Sequence, residues 1–262
     1  MMKNKEKYLE HIKDKGQYDT MRRLLDKIEI VERNYEAEWT DFLDPYQIRL
    51  SESILNRFDV NYYAEGGTEE AERKSIVIYP EYLSRDDVEN PVAAIEIVGS
   101  FKFNEVSHRD YLGSILGTGV KREKIGDIYI GEGHAQAVLH RDILDYVKAN
   151  LERIGKERVQ VKEIPLSEVE NQEVEYEDKV VVVSSERLDV MISEVYSVSR
   201  AKSKSIVSSD RVKVNWAPTS EPSLKLSSGD LVSVRKLGRF IVGESRGTTR
   251  KDNERLEVRL YK

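Results

Sequence analysis

The residues of this 262-residue chain best suited to a definite chemistry lie near its C-terminal end. Arg187, Arg200, Lys204, Arg211, Lys213, Arg235 and Arg239 are cations, and Ser199 and Asn215 stand among them as hydrogen-bonding groups. Repeated guanidinium and ammonium groups on short elements are what a phosphate backbone needs. Arginine forks onto two oxygens, while lysine supplies a compact point charge. The charge balance agrees. Residues 186–262 carry 16 Lys+Arg against 10 Asp+Glu, a net of +6, whereas residues 1–185 carry 26 against 38, a net of −12. An acidic body with one basic end is the pattern of a localised polyanion site.

Two helices and a few strands must position these groups. Leu188, Met191, Ile192 and Val195 fall at helical spacing and lay one apolar stripe along a first helix. A break at Ser197-Val198 leads to Ser199, a good N-cap, and a second helix opens at Arg200. At about 100° per residue, Arg200, Lys204 and Ser208 share one row. Ser203, Ile206 and Val207 fall on the adjacent face that should meet the first helix, so Arg200 and Lys204 stand at the rim of the packed surface. Arg211 to Asn215 alternates as a strand with Val212 and Val214 inward, and a turn at Ser228-Gly229-Asp230 feeds a second strand, Val232 to Arg235. Lys179 to Ser184 is a strand leading in. Beyond Phe240 a strand continues to Glu244, Ser245 to Glu254 reads as a basic loop, and Leu256, Val258 and Leu260 alternate as a closing strand.

Arg-Leu-Asp at 187–189, Ser-Arg at 199–200, Val-Lys-Val-Asn at 212–215, Gly-Asp at 229–230, Val-Ser-Val-Arg at 232–235 and Gly-Arg-Phe at 238–240 together resemble an S4 RNA-binding domain. The chain departs from that pattern where glycines are expected, with Asp210 before the first strand and Trp216 after Asn215. Aspartate tolerates the left-handed conformation a glycine would adopt. Trp216 makes its turn a base-stacking or packing site.

Upstream, residues 3 to about 35 read as helical, with Gly16 dividing a short helix from a longer one. A third helix starts at Thr40-Asp41-Phe42-Leu43-Asp44-Pro45, and Val60–Glu65 and Ser75–Tyr79 form a hairpin. From residue 91 the order is strand (Ala93–Phe103), helix (His108–Gly117), strands (Asp127–Ile130, Ala135–His140), helix (Ile143–Ile154) and strand (Val159–Ile164). That βαββαβ series is ferredoxin-like and shared by RNA-recognition motifs. Only Tyr129 is placed as a base stacker on its central strands. Residues 166–178 are acidic and without aliphatic period. The expected architecture is therefore α+β: an N-terminal helical domain with a β-hairpin (1–90), a central ferredoxin-like domain (91–166), an acidic linker (167–178) and a C-terminal S4 domain (179–262).

A second block narrows the family. Ser107-His108-Arg109-Asp110-Tyr111-Leu112-Gly113, followed by Gly117-Thr118-Gly119-Val120-Lys121-Arg122-Glu123-Lys124-Ile125-Gly126-Asp127-Ile128, resembles the central domain of the YlmH family of bacterial S4 proteins. With the helices before it and the C-terminal pattern after it, the resemblance spans almost the whole chain. It implies association with the large ribosomal subunit, rRNA as the leading ligand, peptidyl-tRNA as a neighbour, and a part in rescuing obstructed subunits.

Several chemistries are excluded or disfavoured. The chain has no cysteine, so disulfides, thiolate metal sites and cysteine nucleophiles are out. Four scattered histidines give no metal-ligand pair, and no cofactor motif is present. The N-terminus has no apolar segment behind it and no run approaches a membrane span, so a cytoplasmic protein is expected; it is also expected to be a monomer. Arg187-Leu188-Asp189 is similar to the catalytic Arg-Leu-Asp of pseudouridine synthases, which gives the alternative reading of an RNA-modifying enzyme targeted by its S4 module. Here, however, Val190 to Ser193 continue a helix, so Asp189 belongs to a first helical turn, where the helix dipole favours an acid. His108-Arg109-Asp110 is similar to a kinase catalytic loop, but the required Asn is Ile115. His108, Arg109, Lys121 and Arg122 flank one short helix and form a candidate second RNA site. The expected function is a non-catalytic RNA-binding factor.

Overall fold

The computed structural model describes residues 5–101, 106–170, 175–250 and 252–261 and divides into two units, Met1–Gln172 and Glu173–Lys262. In the first unit, 3-10 turns at Lys5–Tyr8 and Lys15–Gln17 stand where a short first helix was expected. They are followed by α1 (Tyr18–Asn34), β1 (Glu38–Trp39), α2 (Pro45–Leu55), β2 (Val60–Glu65) and β3 (Ser75–Pro80). The start of α2 follows from its sequence. Pro45 takes the first helical position, and Asp44 and Gln47 cap each other, side chain to backbone, at 2.9 and 3.0 Å. These strands form a sheet in the order β1-β3-β2. Met21, Leu24, Leu25 and Ile28 of α1 share a core with Ile76 and Ile78 of β3.

The same unit continues with β4 (Val92–Gly99), α3 (His108–Gly117), β5 (Ile125–Ile130), β6 (His134–His140), α4 (Leu144–Asn150), β7 (Arg153–Ile154) and β8 (Glu157–Ile164). The sheet order β5-β6-β4-β8-β7, every neighbour antiparallel, is the ferredoxin-like arrangement with a small hairpin strand added. β4 ends at Gly99; Lys102 and Phe103, the expected end of that strand, lie outside the described residues. The expected helix to Ile154 closes at Asn150, because Leu151 turns out at ψ 86° and Ile154 enters β7, with Gly155 at φ +58° in the hairpin turn. Leu151 and Ile154 are still buried in the same core, so burial alone produced the helical spacing.

The described parts of the acidic stretch are structured. Leu166–Glu168 is a 3-10 turn, and Leu166 and Val169 pack against Phe42, Val92 and Val138. Residues 171–174, including Glu173, lie outside the described residues. The chain is strand again from Tyr176, earlier than Lys179, since Tyr176, Glu177 and Asp178 pair through their backbones with Tyr261, Leu260 and Arg259. Backbone pairing does not require apolar side chains, so the acidic composition hid this strand.

The second unit comprises β9 (Tyr176–Val183), α5 (Leu188–Val195), α6 (Arg200–Ser208), β10 (Val212–Val214), β11 (Ala217–Thr219), β12 (Leu231–Val234), β13 (Gly238–Thr248) and β14 (Glu254–Tyr261). They make one antiparallel sheet, β11-β10-β12-β13-β14-β9. Leu188, Met191, Ile192 and Val195 of α5 and Val207 of α6 cover one face, against Val212, Val232, Val234, Phe240, Val242, Val258 and Val181. The basic loop expected from Ser245 to Glu254 is shorter: β13 runs to Thr248, bulging against β14 on either side of Ser245, and β14 opens at Glu254.

Candidate nucleic-acid interface

The corner between β9 and α5 gathers two of the expected cations. Loop residues 222–226 pin the start of α5: Leu188 N donates to Leu224 O at 2.8 Å and Asp189 N to Pro222 O at 3.0 Å. Arg187, the residue just before the helix, forks onto Asp189, Nε to Oδ1 and Nη2 to Oδ2, both at 3.1 Å. The Asp189 side chain is 2% exposed and that of Arg187 43%. The buried acid therefore aims a half-exposed guanidinium outward, a role beyond the dipole contact expected of it. Arg200, exposed at the start of α6, donates from Nη2 to Ser184 Oγ at 3.2 Å. Ser184 is three residues before Arg187, so both guanidiniums border the same corner.

Helix α6 is built as its spacing requires. Ser199 accepts from Lys202 N at 3.2 Å as N-cap. Ser203 is buried and donates to Asp189 O at 2.7 Å, locking α6 onto α5. Val207 is buried beside it, and Arg200, Lys202 and Lys204 are exposed. Arg200 and Lys204 follow one rim of the buried face and Lys202 lies on the other side.

The remaining candidates lie elsewhere. Lys213 and Arg239 alternate with Val212, Val214 and Phe240, which face the helices, so the two cations belong to the opposite sheet face. The backbones of Arg211 and Arg235 are hydrogen-bonded at 2.9 Å at one end of the sheet, where both side chains are exposed. Asn215 is engaged internally: its Nδ2 donates to Asp230 Oδ1 at 2.7 Å and its Oδ1 accepts from Leu231 N at 2.9 Å. Asp210 is left-handed at φ +54°, as its position before a strand predicts. Asn215 and Trp216, at φ +49° and +68°, form the two-residue turn between β10 and β11, a type I′ geometry that favours Asn-Gly. Trp216 carries the Arg239 guanidinium over its ring at 4.7 Å, with Lys213 Nζ at 5.9 Å. The sequence marked Trp216 but not Tyr261, which lies 5.9 Å from the same guanidinium. Its outward place in the alternation of β14 was the available signal.

The second candidate cluster flanks α3 as its spacing implies. His108 and Arg109 open α3, while Lys121 and Arg122 follow its other end, about 15 Å along a ten-residue helix. Arg122 turns inward to Ile125 O, and burial together with neighbouring Arg73 lowers its pKa to about 10. Asp110 caps α3 through the Ser107 backbone and hydroxyl at 2.8 and 2.6 Å, and those bonds hold its carboxyl below the usual range. The sheet face of the ferredoxin-like part does not present its aromatic. Tyr129 is partly buried, its hydroxyl hydrogen-bonds Thr68 at 2.9 Å, and Gln136 beside it bonds Glu168 O and Glu170 N at 3.1 and 2.7 Å.

A ferredoxin-like sheet following a helical domain with a β-hairpin, with a basic two-helix unit after it, defines a class of modular α+β protein. Comparison with known proteins places the chain within that class. Residues 16–83 match the family model "YlmH, N-terminal" and residues 86–168 match "Putative RNA-binding domain in YlmH". The Ribosome-associated protein quality control protein P2 of Bacillus subtilis (strain 168) is 35% identical over 233 residues, covering 89% of this chain and 91% of that protein. The solved Cell division protein ylmH from Streptococcus pneumoniae covers 59% of this chain and 95% of its own, at TM-score 0.50 and 24% identity, which bears on the fold. The chain belongs to the YlmH family. Among the described residues no helix is long and apolar enough to cross a membrane, and no group of three or more metal-ligating side chains is assembled.

Proposed function

We propose that this protein is a non-catalytic RNA-binding factor of the ribosome, acting in the cytoplasm in ribosome-associated quality control. Its C-terminal unit works as an S4 domain that docks on structured rRNA of the large subunit, next to peptidyl-tRNA. The observation that carries this reading is the β9–α5–α6 corner. A buried Asp189 aims Arg187, Ser184 holds Arg200, and Lys204 continues the row. Positioned cations at a helix rim suit a phosphate backbone better than charges spread over a surface. The name of the Bacillus subtilis relative supports the ribosomal setting, and the name of the matched central domain supports RNA as the ligand. A modification enzyme would need an acid that a base can reach. Asp189 is 1% exposed and both its oxygens are held by Arg187.

The test is binding of the full-length protein to purified large subunits. Arg200→Ala should weaken it by about 1–3 kcal/mol, Lys204→Ala by less, and Lys202→Ala least, with little change in melting temperature. Equal losses for Lys202→Ala and Arg200→Ala would mean that diffuse charge drives binding. Unchanged binding in the Arg200→Ala, Lys204→Ala double variant would sink the proposed face.

A further inference from the structure

The face of the C-terminal sheet turned away from α5 and α6 carries a row of its own. Strand register aligns Lys213 with Ser233 and Ser233 with Arg239. One step before the pair Phe240–Leu260, Arg239 meets Tyr261, which in turn pairs with Tyr176. The side chains keep that order in contact. Arg239 lies 4.7 Å over the Trp216 ring and 5.9 Å from that of Tyr261, and Tyr261 meets Tyr176 edge to face at 5.0 Å. Tyr176 is 38% exposed, and Val180 and Val182 further along β9 are 49% and 45% exposed. The adjacent row carries Asp178, which pairs with Arg259 at 3.6 Å.

Trp216 is the residue that packing does not explain. A bulky side chain at φ +68° is a true outlier in a turn that glycine fills without strain. Strain of this kind is retained where the side chain has work that glycine cannot do. Its indole stands out of the core, beside two cations. Rings that accept the flat face of a base, with guanidinium planes between them and an ammonium beside them, are the elements of a single-stranded nucleic-acid platform.

We propose that this outer face binds unpaired nucleotides of RNA. A base stacks on Trp216 and the Arg239 plane, Tyr261 extends the platform, and Lys213 takes the adjoining phosphate. The proposal rests on the C-terminal unit being an RNA binder, but not on its helix row, which lies on the other side of the sheet.

Full-length protein with Trp39→Phe leaves Trp216 as its one indole, since the chain has two tryptophans. An octameric oligoadenylate should quench Trp216 emission, and a base-paired RNA hairpin should not. With labelled RNAs, Trp216→Gly, which suits the turn's backbone, should weaken oligoadenylate binding roughly ten-fold, the order expected for a lost base–aromatic stack, while hairpin binding is kept. Arg239→Gln should act in the same direction. The Arg200→Ala, Lys204→Ala pair should weaken the hairpin while oligoadenylate still quenches Trp216. Quenching that is absent, or oligoadenylate affinity indifferent to Trp216→Gly, overturns the platform and leaves the helix row standing. A Trp216 emission change that depends on protein concentration without RNA assigns the face to a second copy of the chain and also overturns it. Failure of both RNAs to bind refutes the RNA reading of the whole unit.

Discussion

The two large sheets of this chain each carry helices on one face, and their other faces have opposite fates. On the ferredoxin-like sheet, Val92 and Val138 are covered by Phe42 from the N-terminal domain and by Leu166 and Val169 from the acidic stretch. Gly67, at φ +86°, lets the hairpin loop approach so closely that a Cβ there would stand 2.9 Å from Val138. Tyr129 is drawn into this contact by Thr68. On the C-terminal sheet the corresponding face shows a tryptophan, two tyrosines and two cations. Topology alone suggests that the first sheet reads bases. On the proposed reading that work falls to the second, whose outer face carries these rings and cations.

The largest effect is expected where the covering is anchored. Phe42 is 1% exposed, lies edge to face with His140 at 5.1 Å, and fills the space that a Cβ on Gly126 would enter at 2.9 Å. Phe42→Ala should destabilise residues 1–172 by about 3–5 kcal/mol, measured by denaturant unfolding of the full chain carrying Trp39→Phe, and leave the transition reported by Trp216 in place. A loss below about 1 kcal/mol, far short of a buried-aromatic cavity, would show that the central sheet face is open after all.

A smaller loss is expected at the corner of the C-terminal unit. Asp189→Asn keeps the shape but removes the charge that holds Arg187. The guanidinium is half exposed and can rehydrate, so the cost should be about 1–3 kcal/mol rather than that of a fully buried broken pair. RNA affinity should fall with it, because Arg187 loses its aim. An unchanged melting temperature together with unchanged affinity would mean that Arg187 is not positioned by Asp189.

The contrast between the two sheets was only half legible in the sequence. Alternation and helical spacing were enough for the βαββαβ order and for the α5–α6 pair, because Ile95, Ala137, Leu188 and Val207 face cores that local period reports. What covers a sheet is a long-range matter. Phe42 reads as an apolar residue before a helix, and nothing around it says that it closes over Val92. The acidic run at 175–178 hid a strand whose partners are residues 259–261, since the pairing is made by backbone. In the candidate site, the rim positions of Arg200 and Lys204 follow from one helical period. The fork of Arg187 onto Asp189 needed the loop at 222–226 to bury the acid, and spacing carries no trace of that loop's course. Trp216 was marked as a departure from a pattern and as a base-stacking or packing site, without its partners. Its place beside Arg239 depends on the register of four strands.

The covering of the central sheet also makes a pH prediction. His140 is 1% exposed, and its ring nitrogens make no well-formed hydrogen bond among the described residues. Burial lowers its pKa and nearby Lys124 lowers it further, against opposing contributions from Asp142, Asp41 and the Thr40 backbone. The unfolded chain then binds the proton more readily than the folded one. The contribution of a neutral, buried His140 to stability is intact above the ordinary histidine value of about 6.5 and is lost as pH falls from there toward the depressed folded value. His140→Gln should flatten this slope in melts between pH 7 and pH 5 (roughly the range over which a histidine changes charge). A slope unaffected by the substitution would place the titration elsewhere.

The smallest effect on stability separates architecture from function on the open sheet. Trp216→Gly relieves a left-handed conformation that costs a non-glycine residue about 1–2 kcal/mol. It also gives up the contacts of Arg239 and Lys213 with the ring, worth about 0.5–1 kcal/mol each where exposed, and adds backbone freedom to the unfolded chain that costs about 0.4–1 kcal/mol. These changes oppose one another at similar size, so the melting temperature should hardly move. A residue kept for packing behaves otherwise: Phe240, fully buried under Tyr196, should cost about 3–5 kcal/mol on truncation to Ala. Thermal melts of the two variants side by side decide the matter. If Trp216→Gly destabilises the unit as Phe240→Ala does, the indole is part of the architecture, and the open face loses the one residue whose strain asked for another explanation.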